Sequence, residues 1–134
     1  TYSGNPLGCA AALAVQHIFR TQPILENAAS QAQWLTAALT DALGNHPHVG
    51  EIRHIGLIHA IELVRDKKTK TSFDSSHRLG YQIYRRALQY GLLLRPLGDV
   101  LYFNPALNIT REELQQAVER TCRAVDDFLP GRGV

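Results

Sequence analysis

The chain has 134 residues, 45% apolar and 19% charged, with a formal net charge of +2, which fits one ordinary globular domain with enough length to bury a core. Its basic residues are scattered rather than banked into a nucleic-acid surface, no apolar run reaches membrane-spanning length, and no stretch reads as a secretory leader. Cys9 and Cys122 lack CxxC spacing, so a reducing, cytoplasmic setting is the expected one.

The chain contains no methionine and opens on Thr1-Tyr2-Ser3-Gly4-Asn5-Pro6, a loop leading into a helix. A piece of a longer fold begins this way, and so does a chain with a trimmed tag. Asn5 suits an N-cap and Pro6 the first helical turn, where its missing N–H is no loss. The run that follows, "PLGCAAALAVQHIFR", is small and apolar on most sides, a helix made to be buried or pressed against another surface. Thr21-Gln22-Pro23 interrupts it. Leu25, Ala28, Ala32, Leu35, Leu39 and Ala42 then recur at steps of three and four, which predicts an amphipathic helix closed by Gly44.

After a turn at 45–48, "VGEIRHIGLIHAIELV" alternates as two strand pieces meeting at Gly56, where a bulge or bend is expected. Residues 67–75 form a polar loop. From Ser76 to Tyr90 an apolar stripe of Leu79, Ile83, Ala87 and Leu88 predicts a third helix, stopped by Gly91. A hairpin turning at Leu97-Gly98 follows. Thr110-Arg111-Glu112-Glu113 is a capping-box pattern, opening a last helix with Leu114, Val118, Cys122, Val125 and Leu129 on one side. Strands arriving in adjacent pairs between helices predict an α+β fold, a small antiparallel sheet with helices on one face.

Familiar catalytic patterns are missing. None of the six histidines has metal-finger or HExxH spacing, and there is no phosphate loop, GxSxG or carboxylate pair placed for acid–base work. Asn108-Ile109-Thr110 fits a glycosylation sequon but serves better as a helix start. What stands out is Arg95, a permanent cation beside the hairpin turn. With the turn at Leu97-Gly98, residue 95 faces residue 100, and Arg95 and Tyr102 lie diagonally on one face. One reading lets Arg95 reach solvent over Leu93 or pair with Asp99, with Tyr102 a plain sheet aromatic. The other holds the guanidinium ready for a carboxylate in two-pronged geometry, with the Tyr102 hydroxyl in the same cleft; lysine has no planar fork to offer there.

Three blocks in order, "TYSGNPLGCAAALA", "RHIGLIHAIEL" and "GLLLRPLGDVLYFNPALNITREEL", resemble the closing third of a class III, pyridoxal-phosphate-dependent aminotransferase. Within that family the hairpin block is most similar to the branch of biotin synthesis that moves an amino group from S-adenosylmethionine to 8-amino-7-oxononanoate, giving 7,8-diaminononanoate. An ω-amino acid:pyruvate aminotransferase is the nearest alternative. A non-catalytic α+β interaction module is the alternative from another class. The resemblance implies a C-terminal small domain of a fold-type-I enzyme at residues 21–134, and a linker helix and interface segment at residues 1–20. The large cofactor-binding domain would lie outside the chain.

It also implies roles by position. Arg95 would anchor the substrate carboxylate, Tyr102 would line the same site, and Thr1 would reach the cofactor phosphate of the other subunit of a homodimer. Taken alone, a first-position threonine carries no such signal. Gly8, Asn104 and Ala106 depart from the family's usual residues, the latter two on the substrate-site wall. The lysine that binds pyridoxal phosphate would belong to the missing domain. Lys67, Lys68 and Lys70 crowd a polar loop, the reverse of the desolvated setting such a lysine needs, so the chain by itself is expected to be inactive.

Overall fold

The computed structural model describes residues 3–131. Helix α1 spans Pro6–Thr21 and α2 spans Ile24–Leu43. Strands β1 (Val49–Ile55) and β2 (Ile58–Leu63) precede α3 (Leu79–Gln89), and β3 (Arg95–Leu97) and β4 (Val100–Phe103) precede α4 (Arg111–Asp126). The strands form one antiparallel sheet in the order β1-β2-β4-β3. The expected α+β class and element order hold.

Alternation along the strands divides the sheet into two faces. His59, Ile61, Leu63, Leu101 and Phe103 are buried. Most of them join Leu35, Leu39 and Leu43 of α2, Ile83 and Ala87 of α3, and Leu114, Val118, Cys122 and Val125 of α4 in one core. The opposite face, with Arg53, Ile58, Glu62, Tyr102 and Arg95, is open or half-open among the described residues. Arg53 bridges Glu62 at 2.6 Å and Glu51 at 3.3 Å there.

The ends of the elements follow their caps. Asn5 Oδ1 accepts from the Leu7 and Gly8 amides at 2.9 and 3.2 Å, satisfying donors that the first turn of α1 leaves free. Thr110 and Glu113 complete the capping box on α4. Gly91 takes a left-handed φ of 74° after α3, as a helix-ending glycine does.

Several expectations needed correction. Gly44 closes α2 as expected, but as a right-handed cap rather than a left-handed one, its amide donating to the Thr40 carbonyl. Leu25 is 63% exposed, and Leu43 takes its place in the core. Leu88 is exposed as well. Gly56, with φ 53°, reverses the chain in a two-residue turn between paired Ile55 and Ile58 instead of bending one strand. The register shift falls between Val49 and Glu51. The third helix starts at Leu79 rather than Ser76, because Ser75–His77 form a 3₁₀ turn and Arg78 then adopts a φ of 47°.

Helix α1 stands apart. Not one of its 16 residues is buried, and Leu7 and Leu13 are 81% and 71% exposed. A helix that apolar is made for a covering surface.

Candidate functional site

The β3–β4 hairpin turns one residue later than the alternation suggested. Arg95 pairs with Tyr102, Pro96 with Leu101 and Leu97 with Val100, which puts the two-residue turn at Gly98-Asp99. Gly98 supplies the positive φ of 58° at the first turn position, where hairpin turns favour glycine. Arg95 and Tyr102 are therefore direct cross-strand partners, not diagonal ones, and their side chains leave the sheet on the same face.

The turn is anchored from two sides. The Asp99 carbonyl accepts the Leu63 amide at 2.9 Å, and its carboxylate accepts the Gly80 amide at 3.1 Å. That carboxylate is committed to the start of α3 rather than to Arg95. Gly80 lies so close to the turn that a Cβ there would sit 2.2 Å from the Gly98 carbonyl oxygen. Helix α3 and the hairpin are thereby locked together.

Beside this junction lies a cleft of about 490 Å³ lined by Tyr84, Leu93, Leu94, Arg95, Pro96, Tyr102 and Asn104. It combines one cation, two phenols and an amide with an apolar wall, and no carboxylate lines it. Arg95 is exposed and its guanidinium, among the described residues, makes no hydrogen bond or ion pair. A guanidinium in that state can receive an acid group through two parallel N–H bonds, with roughly 1.5–3 kcal/mol for such a charge-assisted contact. A second concavity of about 410 Å³ lies across the turn, but Glu62 and Asp99 line it along with Arg78, which suits an anion poorly.

Sequence reasoning brought Arg95 and Tyr102 to this cleft and missed Tyr84. Tyr84 follows Ile83, a buried core position on α3, and nothing in local sequence shows that the helix runs beside the hairpin. Gly80 was the available clue, a glycine near a helix start that a close neighbour demands. Thr1 lies outside the described residues.

The lysines fit no cofactor role. Lys67 Nζ donates to the Gly44 and His46 carbonyl oxygens at 2.5 and 3.4 Å, and Lys68 and Lys70 are exposed. Among the described residues no amine sits in a desolvated pocket, and no group of three or more His, Cys, Asp or Glu is arranged for a metal ion. Two buried histidines have structural partners. His46 Nε2 donates to the Leu129 carbonyl at 2.9 Å while its Nδ1 accepts from the His48 amide. His59 is buried with Nε2 2.9 Å from Thr36 Oγ1 and Nδ1 3.2 Å from the Leu57 carbonyl. Burial holds the His59 pKa below the ordinary histidine value, against the pull of the Leu57 carbonyl; the stacked His54 ring adds to the lowering.

Compared with known families, residues 1–125 match the one described as Aminotransferase class-III. The chain belongs to the class III aminotransferases. An adenosylmethionine-8-amino-7-oxononanoate aminotransferase from Nitratidesulfovibrio vulgaris is 40% identical over 125 residues, covering 93% of this chain and 23% of that protein. Among solved structures, an (S)-enantioselective omega-transaminase from Thermomicrobium roseum aligns with a TM-score of 0.92 at 35% identity, over 96% of this chain and 29% of that one. A PMP-bound aminotransferase from Vibrio fluvialis aligns at 0.90 and 31% identity, over 95% and 28%. This class III aminotransferase chain thus spans about a quarter of the length of the relatives it matches. Class III aminotransferases are pyridoxal-phosphate-dependent, in keeping with the PMP-bound form of the Vibrio fluvialis structure.

Proposed function

We propose that this chain is the C-terminal small domain of a longer, homodimeric, cytoplasmic class III aminotransferase, and that Arg95 holds the carboxylate of its substrates. The observation that carries the reading is the Arg95–Tyr102 pair, set side by side on the open face of the sheet in a cleft free of carboxylates. In this reading residues 1–20 are the linker and interface segment and residues 21–134 the small domain. Pyridoxal phosphate, held by the rest of the enzyme, supplies the electron sink for amino-group transfer. This chain's own part is to bind and orient. Arg95 fixes the acid end of the substrate, Tyr102 flanks it, and the Gly80–Asp99 contact keeps the hairpin in place. Without the remaining domain the chain is inactive.

For the substrates, we favour S-adenosylmethionine as amino donor and 8-amino-7-oxononanoate as acceptor. Identity to proteins of that name supports this choice. Both molecules carry a carboxylate, so one arginine serves both halves of the reaction. A second reading, an ω-amino acid:pyruvate type enzyme, draws support from the close structural likeness to an omega-transaminase. A donor screen on the complete enzyme separates them. Turnover of S-adenosylmethionine with 8-amino-7-oxononanoate supports the first; turnover of β-alanine with pyruvate, with no response to S-adenosylmethionine, supports the second.

A further inference from the structure

From its place in the cleft we infer that Tyr84 is a specificity-determining residue of the Arg95 site, its hydroxyl donating a hydrogen bond to the acid group that Arg95 holds. The inference rests on the carboxylate reading above and adds a contact from a different element. Tyr84 is half-buried in the wall of the cleft. Its hydroxyl makes no hydrogen bond among the described residues, whereas the hydroxyl of Tyr90, which caps the end of the same helix, donates to Asp127 Oδ2 at 2.5 Å. A half-buried phenol in the lining of a cationic cleft, with no partner for its hydroxyl among the described residues, has its polar end available for a ligand.

The ring is also held in place. It contacts the Tyr81 ring one turn earlier, with centroids 5.8 Å apart, and the Arg78 guanidinium lies 4.5 Å over Tyr81. These three residues form a ladder along one side of α3. The helix itself is fixed by buried Ile83 and Ala87 and by the Gly80–Asp99 hydrogen bond to the hairpin turn. Tyr84 and Arg95 are therefore positioned by one rigid junction, which is what a two-donor carboxylate grip requires. A carboxylate offers about four lone-pair directions. Arg95 takes two in parallel, and a hydroxyl from the helix side can take another. Leu93, Leu94 and Pro96 give the cleft an apolar lining for an aliphatic stem, so the ligand class is a carboxylate on a hydrocarbon stem.

The test is a binding titration on the complete holoenzyme with nonanoate, and with nonanamide as its uncharged counterpart. The unaltered enzyme is expected to bind nonanoate more tightly than nonanamide. Tyr84→Phe is expected to weaken nonanoate by about 3- to 10-fold, the loss of one hydrogen bond, and to narrow its advantage over nonanamide, with an unchanged unfolding midpoint showing that the variant is folded. Tyr84→Leu, which removes the wall too, is expected to weaken both. If nonanoate is preferred and Tyr84→Phe does not alter its affinity, the role of Tyr84 is overturned while the Arg95 reading stands. If the unaltered enzyme shows no preference, or binds neither compound, the Arg95 reading itself is overturned.

Discussion

Replacing Gly80 by alanine tests whether α3 and the β3–β4 hairpin are as closely joined as described. The new Cβ would lie 2.2 Å from the Gly98 carbonyl oxygen, 3.2 Å from its carbon and 3.3 Å from Asp99 Cα. All three are backbone atoms, so no side chain can swing aside. Either the turn or the first turn of α3 must shift by about an ångström, an overpacking cost of roughly 1–3 kcal/mol. The shift also stretches the 3.1 Å hydrogen bond from the Gly80 amide to Asp99, worth about 1 kcal/mol. Alanine's better helix propensity returns up to about 1 kcal/mol. The net expectation is a destabilisation of about 1–3 kcal/mol, read as a lower urea midpoint with unchanged slope for the transition of this domain. Gly56→Ala is the comparison, since nothing lies within 4 Å of a Cβ there and only its positive φ resists. Its cost is about 1 kcal/mol. If Gly80→Ala were as stable as the parent, the close contact between helix and hairpin, and with it the rigid placement of the cleft, would be refuted.

Thr110→Ala removes the hydroxyl that accepts the Glu113 amide at 3.2 Å and is expected to cost about 1 kcal/mol in the same unfolding assay. The lowered pKa of His59 gives a pH dependence with a definite sign. Folded His59 resists protonation, so its contribution is complete above the unfolded value of about 6.5 and is lost as pH falls below it, because the unfolded chain then binds more protons. The unfolding midpoint is expected to drop between about pH 7 and pH 5, and His59→Gln is expected to flatten that slope; an equal slope in the variant would contradict it. The exposed apolar side chains of α1 predict that the isolated 134-residue chain associates with rising concentration. Sedimentation should show this reduced in a Leu7→Lys, Leu13→Lys variant, and a monomer at all concentrations before substitution would contradict the idea of a covered helix.

The layout of the fold was legible in the sequence because its signals are local. Asn5-Pro6, Gly91 and the Thr110–Glu113 box mark helix ends through hydrogen bonds within three or four residues. The alternation of Ile61 and Leu63 likewise marks the buried face of β2. Register was less legible. Leu97-Gly98 and Gly98-Asp99 both offer a glycine to a tight turn, and the choice depends on Asp99 reaching Leu63 and Gly80, contacts 36 and 19 residues away. The same limit hid Tyr84, whose neighbourhood with Arg95 is made by packing of α3 on the hairpin. Arg95 itself was visible because a permanent charge stands out in an otherwise apolar strand sequence; its exposure agrees with a side chain that reaches solvent as well as with one held ready for a ligand. Asp99, the ion-pair partner that the sequence offered it, turned out to be engaged elsewhere.

The most direct measurement is the steady-state kinetics of the complete enzyme with Arg95→Ala, taken with both carboxylate substrates. Loss of a charge-assisted contact of roughly 1.5–3 kcal/mol corresponds to a fall in kcat/KM of about 10- to 150-fold for donor and acceptor alike. That paired loss is expected in an enzyme whose unfolding midpoint is unchanged. Unaltered constants for both substrates would contradict it.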